Sequence, residues 1–144
     1  MNLFGMLEVS GSALLVERQR AEVVTSNMAN LETTRTAQGG PYRRQLVVFR
    51  SHSMPQFPML LAGLRPPRAQ MVRVDQVVAD TTAPEERYEP GHPDADARGY
   101  VAYPAINPVN EMTDLLGAVR AYELNASAIQ ASKTMIQQSL DILR

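Results

Sequence analysis

The chain contains no cysteine. That removes thiolate metal sites, thiol catalysis and disulfides, and it leaves the redox compartment unspecified. No apolar run is long enough to span a bilayer, which would need about 18 consecutive residues or more. There is also no excess of one charge: a net charge of −1 and a pI near 6.1 give no overall pull toward nucleic acid or an anionic membrane. The first thirty residues carry Glu8 early and have no basic stretch ahead of an apolar core. No cleaved secretory signal is expected from them, so export would need another route. Internal repeats and low-complexity tracts are lacking as well. Lysine occurs once, Lys133, against thirteen arginines. Arginine suits interfaces, where a planar, weakly hydrated cation is preferred, although a G+C-rich genome skews codons the same way.

Proline is absent from both ends, over Leu3–Asn30 and Val109–Leu143, and each end carries a heptad pattern. Alternating steps of four and three from Leu3 land on Leu3, Leu7, Ser10, Leu14, Glu17, Ala21, Val24, Met28 and Leu31, seven of nine apolar. The same walk from Met112 lands on Met112, Leu115, Val119, Tyr122, Ala126, Ile129, Lys133, Ile136, Leu140 and Leu143, nine of ten apolar. Narrow seams of this length belong to helices that pack lengthwise on other helices. The C-terminal helix would be roughly 50 Å long at 1.5 Å per residue, about three times an ordinary globular helix. Its seam exceeds what a small middle region can cover and must find the N-terminal helix or other subunits. Ends of this kind are expected to gain order against neighbours. Glu17 and Lys133 are the charged intruders, and they could pair if the helices align near mid-length.

Between the ends the pattern changes to period two and turns. Asn30–Thr36 ends the first helix, asparagine tolerating left-handed backbone and threonine favouring turns, and Gly39-Gly40-Pro41 closes a loop. Strands are expected over Tyr42–Arg50, Met71–Val78 and, briefly, Gly99–Tyr103. Ser51–Ala69 carries four prolines and reads as a long loop, while Asp80–Arg98 reads as polar turns. Asn107-Pro108 is placed to cap the last helix. The expected fold is α+β, with long terminal helices packed as a coiled-coil-like pair around a small β-rich middle domain. Three segments follow: an N-terminal assembly helix over 1–34, the middle domain over 35–106, and a C-terminal assembly helix over 107–144.

Charge in the middle is segregated. Arg35 to Arg73 holds seven arginines and no acid, and Asp75 to Asp96 holds seven acids and one arginine. Either the two stretches face each other within the chain, or a positive patch meets a negative one on a neighbouring subunit and fixes register. Arg43, Arg44 and Arg50 with Tyr42 and Phe49 could neutralise and stack on nucleic acid, but beside an acidic stretch they fit an interface or an internal match better. His92, Asp94 and Asp96 alternate as three metal ligands could, yet Pro90, Gly91 and Pro93 suit a fixed turn. Glu85, Glu86 and Glu89 lack the cleft that acid–base chemistry needs. Gly39-Gly40 lacks the spacing of a phosphate loop, His52 lies alone among prolines, and no serine sits in a nucleophile elbow. No catalytic, metal or cofactor residue is nominated. Asn27, Ala29 and Asn30 are read as a helix terminus whose amides could also set register in a seam.

Thr25-Ser-Asn27-Met-Ala29-Asn30, then Gly40-Pro41-Tyr42-Arg43-Arg44 and Val47-Val48-Phe49, resembles the N-terminal signature of the flagellar basal-body rod protein family. Tyr88-Glu-Pro90-Gly91-His92-Pro93-Asp94-Ala95-Asp96 with Gly99-Tyr100-Val101 is similar to its proximal-rod branch. Asn107-Pro-Val109-Asn-Glu111-Met112 and Arg120-Ala-Tyr122-Glu-Leu-Asn125 resemble its C-terminal helix. Ala105 after Pro104, and Glu123 after Tyr122, depart from the family's usual asparagine and glutamine. The resemblance implies a structural, non-enzymatic subunit without cofactor. It would be exported through the flagellar type III apparatus without cleavage and built helically into the periplasmic rod of the basal body to transmit torque. Implied partners are other copies, proximal and distal rod proteins, and the ring-adjacent adaptor and export apparatus, with no nucleic acid and no membrane insertion. A secreted helical adaptor of a type III export system is the alternative. The expected assembly interface is Leu3, Leu7, Leu14, Val24, Asn27, Met28, Ala29, Asn30 and Leu31 with Met112, Leu115, Val119, Tyr122, Asn125, Ile129, Ile136, Leu140 and Leu143.

Overall fold

A computed structural model describes residues 3–53 and 70–142. Helix α1 spans Leu3–Ala29, and strands β1 (Gln45–Ser53), β2 (Gln70–Ala79), β3 (Glu85–Tyr88) and β4 (Tyr100–Tyr103) lead to helix α2, Pro108–Ile142. The α+β class and the order helix, strands, helix agree with the sequence pattern. No described helix is long and apolar enough to cross a membrane.

Two details differ from expectation. Strand β1 begins at Gln45 and runs on to Ser53, into the stretch read as a loop; the rest of that loop lies outside the described residues. Strand β3 falls in the stretch read as polar turns. Its sequence, Glu-Glu-Arg-Tyr, has no apolar alternation and all four residues are exposed. What makes it a strand is antiparallel pairing with β4, in the register Glu85↔Tyr103 through Tyr88↔Tyr100.

Helix ends are closed by side chains. At the end of α1, Asn30 Nδ2 donates to the Ser26 carbonyl at 2.8 Å and Thr33 Oγ1 to Asn30 Oδ1 at 3.1 Å. No residue other than glycine has positive φ among those described. Asn30 therefore stops the helix through its amide, and the left-handed backbone expected of it is not used. Left-handed geometry falls to Gly39 and Gly40, at φ 87° and 76°, in the turn closed by Thr36 N–H on the Gly40 carbonyl at 2.9 Å. At the start of α2, Asn107 Oδ1 accepts from Val109 N–H at 2.9 Å, with Pro108 in the first turn.

The chain forms two compact units, each drawing on both helices and the middle. One comprises 1–19, 49–75 and 118–144. In it Ser10, Val16, Ala118 and Ser132 are buried, Val72 N–H donates to Ser12 Oγ at 3.2 Å, and Arg50 pairs with Asp75 at 2.7 Å. The other comprises 20–48 and 76–117, with Val24, Asn27, Val101, Tyr103, Ile106 and Glu111 buried. Arg35 there meets Asp94 at 2.6 Å. The basic and acidic stretches thus match within the chain, through Arg50–Asp75 and Arg35–Asp94, which is the first of the two readings their segregation allowed.

Candidate assembly surface and its polar anchor

The face that α2 turns inward is made of small and polar residues. From Glu111 to Ser132 the positions seven apart are withdrawn from solvent: Glu111 at 0% exposure, Ala118 at 1%, Asn125 half-buried, Ser132 at 1%. Alanines at 121 and 128 lie alongside and are half-buried. The polar side chains further along turn back on their own helix, Asn125 Nδ2 to the Ala121 carbonyl and Ser132 Oγ to the Ala128 carbonyl, both at 2.8 Å. Among the described residues, only the first two turns reach other elements through hydrogen bonds or ion pairs.

That reach is a buried polar node. Glu111 Oε1 receives Nε and Nη2 of Arg44, both at 2.6 Å, and Oε2 receives Asn27 Nδ2 at 3.0 Å. Asn27 also brackets the first residue of β1, its Nδ2 donating to the Gln45 carbonyl at 3.0 Å and its Oδ1 accepting Gln45 N–H at 2.9 Å. Tyr42 Oη donates to the same Oδ1 at 3.1 Å. Asp114 takes Arg20 at 3.3 Å and Arg44 at 3.4 Å. As α1 is followed back from Asn27 to Arg20, α2 is followed forward from Glu111 to Asp114, so the helices are antiparallel here. A buried ion pair is tolerable only when its remaining valences are filled, and in this node they are.

Away from the inner column of α2, Val109, Met112, Leu116 and Val119 form an apolar ridge open to solvent. Val109 is 68% exposed, Met112 55%, Leu116 56% and Val119 43%, and Tyr122, Leu124, Met135 and Leu140 are exposed too. Of the seam expected on α2, Met112, Val119, Tyr122 and Leu140 lie outward, while Leu115, Asn125, Ile129 and Ile136 are half-buried. On α1 the expected seam points in: Val24 and Asn27 are buried, Leu7, Leu14, Met28, Asn30 and Leu31 are half-buried, and Ala29 is exposed. The Leu3 side chain and Leu143 lie outside the described residues. Lys133 is exposed and makes no ion pair among the described residues, so it does not meet Glu17. The structure adds Val109 and Leu116 to the ridge, and Arg44, Glu111 and Asp114 to the anchor. Their signal was a column of small residues at heptad spacing headed by a carboxylate, which a count of apolar residues passes over.

The segment between β3 and β4 is a fixed turn. Asp94 accepts Thr34 Oγ1 at 2.8 Å besides its pair with Arg35, and its N–H donates to His92 Nδ1 at 3.1 Å. Asp96 accepts N–H groups of Arg98 at 2.8 Å and Tyr100 at 2.9 Å. The Tyr100 bond leads in holding its carboxyl below the usual range of aspartate. Gly99 has φ 82°, and a Cβ there would meet Tyr88 Cε2 at 2.9 Å and Pro90 Cβ at 3.2 Å. Tyr88 and Tyr100 stack edge to face at 5.3 Å, and the Arg87 guanidinium sits 4.6 Å from the centre of the Tyr103 ring.

Residues 97–142, comprising β4, the node's acidic residues and the ridge, match the family described as the flagellar basal body rod FlgEFG protein C-terminal. Along its whole length the chain is 38% identical to the flagellar basal-body rod protein FlgC of Borreliella burgdorferi, covering 100% of this chain and 99% of that one. It is likewise 38% identical to FlgC of Bacillus subtilis over 99% of each, and 33% identical to FlgC of Aquifex aeolicus over 98% and 97%. The chain belongs to the FlgC family of flagellar basal-body rod proteins. The ridge and the acidic residues of the anchor, Glu111 and Asp114, therefore lie within the shorter match, while Asn27 and Arg44 are covered by the full-length relatives alone.

Proposed function

We propose that this chain, by family a structural subunit of the flagellar basal-body rod, is built into the proximal rod by packing the outward ridge of α2 on neighbouring subunits. The neighbours are other copies of itself and other rod proteins, with the ring-adjacent adaptor and export apparatus at the basal end. It reaches the rod by flagellar type III export without a cleaved signal, and it acts by transmitting torque, with no catalysis and no cofactor. The observation that carries this reading is the exposed line Val109, Met112, Leu116 and Val119 on α2, in a chain matched from end to end by rod proteins. Covering half-exposed side chains of this size contributes about 1 kcal/mol each, and dispersion adds along the contact. Many such contacts in series can carry a load that no single one could. A secreted helical adaptor is not favoured, because the full-length relatives are rod proteins.

A side-chain-resolution cryo-EM map of basal bodies from cells expressing this chain tests the placement. Density for the chain in the proximal rod, with α2 flanked by other subunits, is the expected result. Density confined to another part of the flagellum would end the proposal.

A further inference from the structure

We infer that Met112 is an oxidation site that governs assembly: conversion of its thioether to the sulfoxide by a peroxide keeps a free subunit from being incorporated. The inference rests on the reading of the α2 ridge as the surface that other subunits cover.

The chain has eight methionines and no cysteine, so every sulfur it offers to an oxidant is a thioether. Among the described residues, Met6, Met28 and Met71 are half-buried, while Met112 and Met135 are exposed on α2. Susceptibility follows access to the sulfur, which puts these two first. Of the pair, Met112 lies in the ridge, with Val109 one turn before it and Leu116 one turn after, both more than half exposed. Methionine suits such a place because its unbranched, polarizable side chain adapts to whatever packs against it. The same sulfur is the ridge's point of chemical weakness.

The oxidant is a hydroperoxide. A sulfur lone pair attacks one peroxide oxygen, the O–O bond breaks as the S–O bond forms, and with hydrogen peroxide the leaving group departs as water. The thioether loses two electrons and the peroxide gains them, so no other reactant is needed. In the free chain the new oxygen accepts hydrogen bonds from water. Under a neighbouring subunit it would stand among apolar side chains. The adjoining hydroxyl, Thr113 Oγ1, already donates to the Val109 carbonyl at 2.9 Å. Covering an acceptor that has no donor is costly. The fold itself loses little, because α2 packs inward through Glu111 and Ala118 and leaves Met112 largely in solvent.

The test is modification interference in cells that carry this chain and lack methionine sulfoxide reductases. The chain accumulates while basal-body assembly is held off, a pulse of hydrogen peroxide is quenched with catalase, and assembly is then released. Peptide mass spectrometry reads the sulfoxide fraction at each methionine, in the pool sampled at the quench and in the basal bodies formed afterwards. At Met112 that fraction should fall about tenfold on incorporation. Equal fractions overturn the inference, as does a Met112 that the pulse leaves unreacted in the free pool. With each chain compared with its own untreated sample, M112L should lose less incorporation after the pulse than the parent, and an equal loss also overturns it. A second arm gives the same pulse to finished basal bodies. Met112 protected there but not selected against in the first arm ends this inference alone. Met112 reacting there as fast as in the free pool ends the ridge reading, and this inference with it.

Discussion

Asn27 fills every hydrogen-bonding valence of its amide: two donated bonds, to the Gln45 carbonyl and Glu111, and two accepted, from Gln45 N–H and Tyr42. At 1% exposure it has no water to replace them. Asn27→Ala should lower unfolding free energy by roughly 3 kcal/mol, the cost of stranding buried polar partners, as measured by urea denaturation of the full chain. Gly99→Ala meets both a left-handed backbone and the Tyr88 and Pro90 contacts, and about 2 kcal/mol of destabilisation is expected. The turn also gives stability a pH dependence. Asp96 has its carboxyl depressed, chiefly by the Tyr100 N–H. Its contribution is therefore full above the ordinary aspartate value and fades as pH falls through the folded one. Tyr103 donates to Glu89 at 2.9 Å, and this bond raises its phenol above the usual 10. That contribution is complete below pH 10 and disappears as pH climbs past the raised value. Denaturation profiles against pH should lose part of their acidic slope in Asp96→Asn and part of their alkaline slope in Tyr103→Phe. Unchanged slopes would show that these bonds do not hold the turn.

At the scale of elements, the two helices use their faces differently. The apolar seam of α1 lies largely inside the chain, whereas half of the expected α2 seam lies outside, and α2 packs inward through Glu111, Ala118 and Ser132. Val119→Asp should accordingly change the stability of the isolated chain by no more than about 0.5 kcal/mol, as surface changes do, while incorporation into basal bodies fails. A variant that unfolds as readily as it fails to assemble would place Val119 in the chain's own core. The contrast also explains what could be read from residues alone. Lengthwise helices were legible because proline is absent and leucine, valine and isoleucine recur at heptad spacing. The inner face of α2 was not, because alanine, serine and asparagine carry no signal in an apolar count. Strand β3 escaped notice because Glu85–Tyr88 owes its conformation to pairing with β4, a partner twelve or more residues away. The amide of Asn27 is legible as a polar group in an apolar seam, but Glu111, which it meets, and Arg44, which meets Glu111, come from distant stretches that folding brings together.

For the whole molecule, the exposed ridge and the buried node divide the work between association and internal order. The node needs residues 27, 44 and 111 from one chain and no neighbour, so the isolated chain should show its slowest amide exchange around Val24–Asn27 and Glu111. The sequence-based expectation that both ends order only against neighbours would then apply chiefly to the parts remote from the node. The central claim is that the ridge of α2 is the surface other subunits cover. Single cysteines at Val119 and, as a control, at exposed Arg98 can be introduced without interference, since the chain has no cysteine. Maleimide labelling of the isolated chain and of purified basal bodies then measures the claim directly. The account predicts rapid labelling of V119C in the isolated chain and strong protection in basal bodies. Equal labelling of V119C in both states would contradict it.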